Sequence, residues 1–216
     1  VFITDDEKEL LPTWLRFVKG IIDSSDLPLN VSREILQQNR VMSKIKSNSV
    51  KKVLDKIKTI SKNKDKYEGF YNEFGRLLKE GVYQEFEHKE ALTELLRFKS
   101  TKEEGFVSLQ DYLDRMSSDQ ESIYYITGTN ESALRESPLL EMYKEKDIEV
   151  LILDDEIDEI IMPSIPTFKE KSLKSVNRSG AADELNKDSD KDKKEELKPL
   201  IKKVKSVLGD KVKDVK

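Results

Sequence analysis

Between residues 32 and 60, apolar side chains recur at Met42, Ile45, Val50, Val53, Leu54, Ile57 and Ile60. Spacings of three and four keep them on one face of a 3.6-residue period and predict a long amphipathic helix. Pro28 belongs in a loop, and Asn30 and Ser32 suit capping positions, so the helix is expected to open near Ser32. With no Pro or Gly inside it, about 28 residues at roughly 1.5 Å each make a rod of about 40 Å. Upstream, residues 1–4 read as a short strand of a larger sheet, and residues 9–20 read as an amphipathic helix carrying Leu11, Trp14, Leu15, Phe17 and Val18. Downstream, a turn over 61–66 leads to a helix with Tyr67, Phe70, Phe74 and Leu77 on one side, ending at Gly81. A third helix over 89–97 turns Leu92, Leu95 and Leu96 inward. Short connections between these helices imply a compact coil.

From Ser108 the pattern changes. Ser108 and Asp111 resemble a capping box and open a helix with Leu109, Tyr112, Leu113 and Met116 on one face. SIYYIT (122–127) and IEVLIL (148–153) are nearly continuous apolar runs, the signature of strands covered on both faces. A helical stretch broken near Pro138 lies between them, so the unit is βαβ with parallel strands and a right-handed crossover. KSLKSV (171–176) is expected to add an edge strand. Beyond 177 the composition turns to Asn, Ser, Gly, Asp and Lys, a linker. Residues 195–208 then regain amphipathicity through Leu197, Leu200, Ile201, Val204, Val207 and Leu208, and the last segment is expected to pack poorly on its own. The fold class is mixed α/β: a long linking helix, a small helical coil, a small three-layer αβα lobe and a helical C-terminal extension. The corresponding divisions are 1–65, 66–100, 101–177, a linker over 178–194, and 195–216.

Charged residues make up 38% of the chain against 36% hydrophobic, so the excess charge must lie outside a real core. Lys and Arg number 39 and Asp and Glu 43, a net charge of −4. That balance gives no global field for nucleic acid or anionic membrane. No cysteine is present. Disulfides, thiolate zinc sites and thiol nucleophiles are thereby excluded, which fits a reducing, cytoplasmic setting. No apolar run approaches 18 residues, and the first residues lack the basic region of a signal peptide. A start at Val1 reads as a piece of a longer protein.

Candidate chemistry is sparse. Arg33 stands in the first turn of the long helix, where free N–H groups and the positive dipole end disfavour a cation. With the amides of Gln37 and Gln38 it could form an anion-seeking cluster suited to phosphate; spacing alone favours the plainer reading, an ion pair with Asp23, Asp26 or Glu34. Trp14 and the aromatic stripe read first as core, with stacking on bases or the holding of an apolar segment as the alternative. Between 40 and 66, ten basic residues face two acidic ones, a solvated face or a nucleic-acid surface. After SIYYIT, GTNES offers one glycine where dinucleotide or P-loop sites need more. Asp154, Asp155, Glu156, Asp158 and Glu159 could hold a metal or simply open a helix. His88 is the single histidine. No metal site and no self-contained catalytic site are expected.

FVKGIIDSSDLPLNVSREILQQNR, YEGFYNEFGRLLKEG, LLRFKSTK and IYYITG resemble, one after another, the heat-shock protein 90 chaperone family in its bacterial form. The likeness runs from Val1 to Lys216, interrupted around 186–194. It implies the second half of that family's middle region and the start of its C-terminal dimerisation region. It further implies an ATP-driven homodimeric clamp whose ATP and magnesium sit in an N-terminal domain this chain lacks. In the SREILQQ motif Arg33 matches the arginine that reaches the ATP γ-phosphate, and Gln37 its supporting glutamine. Client proteins and co-chaperones are the further partners implied, with no nucleic acid and no membrane.

Overall fold

The computed structural model describes residues 10–23, 40–178, 180, 181, 185, 203 and 205. The chain divides into two compact units, Val1–Ser175 and Val176–Lys216. Every described element with known bounds lies in the first; in the second, Lys203 and Lys205 are helical and exposed.

The described part of the long helix, α1 (Arg40–Ile60), buries Val50, Leu54 and Ile57 on the predicted face. Its predicted start at Ser32 lies outside the described residues. In α2 (Lys64–Gln84) the N-cap Asn63 accepts from the Lys66 amide, so the helix starts three residues before Tyr67. It also runs past Gly81 instead of stopping there. The glycine is interior because Trp14 packs onto it: a Cβ at Gly81 would lie 2.9 Å from the indole and 3.1 Å from Leu92. The fully buried face is Tyr67, Tyr71, Gly75, Leu78 and Val82, one step round from the predicted stripe. Phe70 is half-buried against that core, and with Phe74 it meets Phe17. α3 (Lys89–Leu95) buries Leu92 and Leu95, with Leu96 following.

Residues 10–23 form no full helix. Only Thr13–Leu15 make a 3₁₀ turn, and Pro12 before it is extended with no side-chain cap. Packing decides the conformation here. Trp14 and Leu15 are fully buried, so the segment lies flat along α2 instead of coiling on itself.

The second half is built on a five-stranded sheet in the order β1-β3-β2-β5-β4. Its strands are β1 (Lys99–Ser100), β2 (Ser122–Thr127), β3 (Val150–Leu153), β4 (Thr167–Phe168) and β5 (Lys171–Ser175). β2 and β3 are parallel, as the βαβ pattern requires, with Tyr124 opposite Val150 and Thr127 opposite Leu153. The helix α4 (Leu109–Arg115) precedes β2 and opens on a complete capping box: Ser108 accepts from the Asp111 amide and Asp111 accepts from the Ser108 amide. Between β2 and β3 lie α5 (Glu131–Arg135), a 3₁₀ turn at Pro138–Leu140 and α6 (Glu141–Glu145), and after β3 comes α7 (Glu156–Ile161). β5 is not an edge strand. It pairs parallel with β2 and antiparallel with β4, because the chain crosses over β2 after β3.

Alternation along β2 and β3 serves two cores. Ile123, Tyr125, Leu151 and Leu153 join the cluster that contains Trp14, Leu78 and Ile161. Tyr124, Ile126, Val150 and Ile152 are buried outside that cluster, and Tyr124 meets Tyr143 of α6 edge-on at 5.0 Å. Helices therefore cover opposite faces of one sheet, the predicted three-layer arrangement. Tyr112 of α4 ties the layers together: its hydroxyl donates to the Glu149 carbonyl at 2.7 Å and accepts from the Gln120 amide and the Tyr124 N–H.

Candidate functional site

Arg33 and Gln37, the residues chosen from the sequence, lie outside the described residues, as do Gln38, Asp26 and Glu34. What is described is the structure on either side of them. Upstream, Trp14 Nε1 donates to Glu85 Oε1 at 3.3 Å. Arg16 clasps Glu80 with two bonds of 2.6 and 2.9 Å, an arrangement that raises the Arg16 pKa and lowers that of Glu80. Phe17 stacks on Phe74 at 4.5 Å. Downstream, α1 leans on α3, where Lys58 Nζ donates to Glu94 Oε2 at 2.7 Å. α3 in turn packs on α2. The upstream segment is thus fastened to α2 directly, whereas the C-terminal part of α1 reaches α2 through α3. The lysines of α1 are all exposed, Lys58 included.

Trp14 and Tyr67 are core residues, as the sequence pattern implied, and so is Tyr71, which that pattern did not single out. Arg97 lies over the Tyr67 ring at 4.5 Å. The Tyr67 hydroxyl donates to the Leu95 carbonyl at 2.6 Å, and burial pushes its pKa up to about 12.

The acidic run after β3 opens a helix. Asp155 caps α7 by accepting from the Ile157 amide, and Asp158 is buried against Lys79 of α2. The ammonium lies 2.8 Å from Oδ1 and 2.9 Å from Oδ2 of Asp158, and 3.6 Å from Asp155. Burial raises the Asp158 pKa, with Lys79 pulling the other way. Among the described residues no group of three or more acidic or histidine side chains is placed to hold a metal ion. Strands β2 and β3 send their following loops to opposite faces, and α/β folds place ligands in that kind of crevice. Here Lys99 bridges the two loops, 2.7 Å from Asp154 and 2.8 Å from Glu131, and Arg135 holds the other Glu131 oxygen at 2.8 Å. Lys99 and Arg135 lower the Glu131 pKa. The acids there are already paired.

Two buried charges went unread in the sequence. Lys79 follows Tyr71 and Gly75 on the same helical row, a lysine on an apolar face. Glu149 stands inside the run IEVLIL; it accepts from Ser100 Oγ at 2.6 Å and from Arg115 at 2.6 and 3.0 Å. A charge interrupting an otherwise apolar pattern was the available signal for both.

The chain-wide comparison is decisive for kinship. The family model of the Hsp90 protein matches residues 1–216. The chain belongs to the Hsp90 family. It is 57% identical over 226 residues to the chaperone protein HtpG of Treponema denticola. It is 57% identical over 220 residues to HtpG of Aliarcobacter butzleri, and 52% identical over 216 residues to HtpG of Borreliella burgdorferi. Each match covers 100% of this chain and 35% of the relative, so the chain spans about a third of the length of these Hsp90 relatives. No described helix is long and apolar enough to cross a membrane.

Proposed function

We propose that this chain is the middle-region piece of an ATP-dependent molecular chaperone of the cytoplasm that assists protein folding. In this reading it runs from the end of the large middle lobe (1–65) through the helical coil and αβα lobe to the truncated start of a dimerisation domain (195–216). Arg33, supported by Gln37, reaches the γ-phosphate of ATP and magnesium bound by an N-terminal domain of the same polypeptide. A cation there stabilises the charge that develops on a departing phosphoryl group. The piece alone does not turn over ATP. It offers docking surface to client proteins and co-chaperones, and the whole protein works as a homodimer.

The observation that carries this reading is the match of the Hsp90 model to every residue of the chain, the SREILQQ motif included. The test is ATP turnover by the full-length protein with Arg33→Ala. Expected is a loss of at least tenfold, with circular dichroism and thermal midpoint unchanged. Turnover equal to wild type would make Arg33 a structural residue and leave a protein-binding scaffold.

A further inference from the structure

Residues 40–66, which comprise α1, the turn after it and the first residues of α2, hold ten basic side chains against Asp55 and Asp65, in a chain whose net charge is −4. The positive excess is therefore local, and the rest of the chain carries a larger negative one. All ten, from Arg40 to Lys66, are exposed. Among the described residues Lys58 alone of them has an ion-pair partner, Glu94. Burial of Val50, Leu54 and Ile57 takes one side of α1, so its basic side chains spread over the remaining arc along a rod of about 30 Å. None of the large apolar side chains exposed among the described residues lies in this stretch, and Tyr67 at its border is buried.

From this combination we propose that the exposed face of α1 binds a linear polyanion whose repeating unit is a bare phosphate, namely inorganic polyphosphate. The proposal goes beyond the ATP and folding reading and does not rest on it. A stable protein interface needs apolar or aromatic anchors at its centre, and this face offers none. A single nucleic-acid strand is held on rings against which its bases stack, and no ring stands here. Charge is the whole attraction. Nine of the ten basic residues are lysine, a mobile point charge without the fixed fork of arginine, so their heads follow a flexible chain of phosphates without demanding one geometry. Release of the polyanion's condensed counterions drives binding, and affinity falls steeply as salt rises. The negative remainder of the chain confines the polyanion to this face.

The experiment uses the full-length protein and polyphosphate end-labelled with fluorescein, its binding read by anisotropy from about 50 to 200 mM salt. An RNA oligomer and a polyglutamate of the same total charge serve as competitors. Two charge-matched variants are compared: Lys51→Gln/Lys52→Gln/Lys56→Gln on α1, and Lys144→Gln/Lys146→Gln/Lys169→Gln, which removes exposed lysines elsewhere. Expected is binding of polyphosphate ahead of both competitors. The α1 variant binds it at least tenfold more weakly at the low-salt end, with a salt slope shallower by about 2, roughly 0.7 for each lost contact. The second variant binds like wild type. Circular dichroism and thermal midpoints equal to wild type control for folding. No binding by wild type at low salt overturns the proposal, and so does equal weakening by the two variants. RNA competing better than polyphosphate gives the face to nucleic acid, and polyglutamate competing better gives it to an acidic protein; either result overturns polyphosphate as the occupant.

Discussion

Removing one member of the Lys79–Asp158 pair is predicted to cost far more than removing both. Side chains at 9% and 1% exposure have given up most of their hydration, a loss of several kcal/mol per ion. With Lys79 Nζ within 3 Å of both carboxylate oxygens, attraction at an effective dielectric of about 20 returns roughly 5 kcal/mol. The raised pKa of Asp158 says that this return does not fully offset burial. Asp158→Leu, which leaves a buried ammonium with only Asp155 at 3.6 Å, is expected to lower stability by about 3–5 kcal/mol, and Lys79→Met by a similar amount. Lys79→Met with Asp158→Leu should land near wild type, within about 2 kcal/mol on either side. Urea unfolding of the four proteins, with a constant m-value, closes the cycle. Single variants costing under about 1 kcal/mol, or costs that add in the double variant, would refute the premise that the pair is desolvated and mutually dependent.

The glycines of α2 give an internal contrast. Gly69→Ala, with nothing within 4 Å of the new Cβ, should stabilise by about 0.5–1 kcal/mol through helix propensity, whereas Gly81→Ala should destabilise by about 1–3 kcal/mol by pressing on Trp14 and Leu92; thermal midpoints will separate them. In alkali, Tyr67 ionises near 10 when unfolded and near 12 when folded. Its contribution is therefore whole below pH 10 and lost as pH rises to 12, by up to about 2.7 kcal/mol. Wild type should accordingly be the more stable at pH 8 and Tyr67→Phe the more stable near pH 12 in denaturant titrations.

Much of this architecture could be read from residue patterns, and the exceptions share a cause. The two buried strands, the Ser108 capping box and the broken helix at Pro138 are local signals, settled by alternation, a hydroxyl three residues before a carboxylate, and a missing N–H. Gly81 was misread because a glycine that ends a helix and a glycine that admits an indole look alike in sequence; only Trp14, 67 residues away, decides. The upstream 3₁₀ turn yields to the same contact. β5 was placed at an edge because its half-apolar composition suits one, yet crossover handedness puts it beside β2. For the site, spacing alone left Arg33 between an ion pair and an anion contact, and the resemblance supplied the phosphate.

The rims of the sheet are two-residue strands, β1 with Lys99 and β4 followed by Lys169 and Glu170. Both turn residues have positive φ, 44° and 69°, the twist of a tight hairpin normally given to Asn and Gly. So little free backbone on either rim offers an extended foreign chain almost no ladder to join. For a protein proposed to meet unfolded polypeptides, contact is thereby steered to side chains, which release what they hold, and away from cross-β growth, which does not.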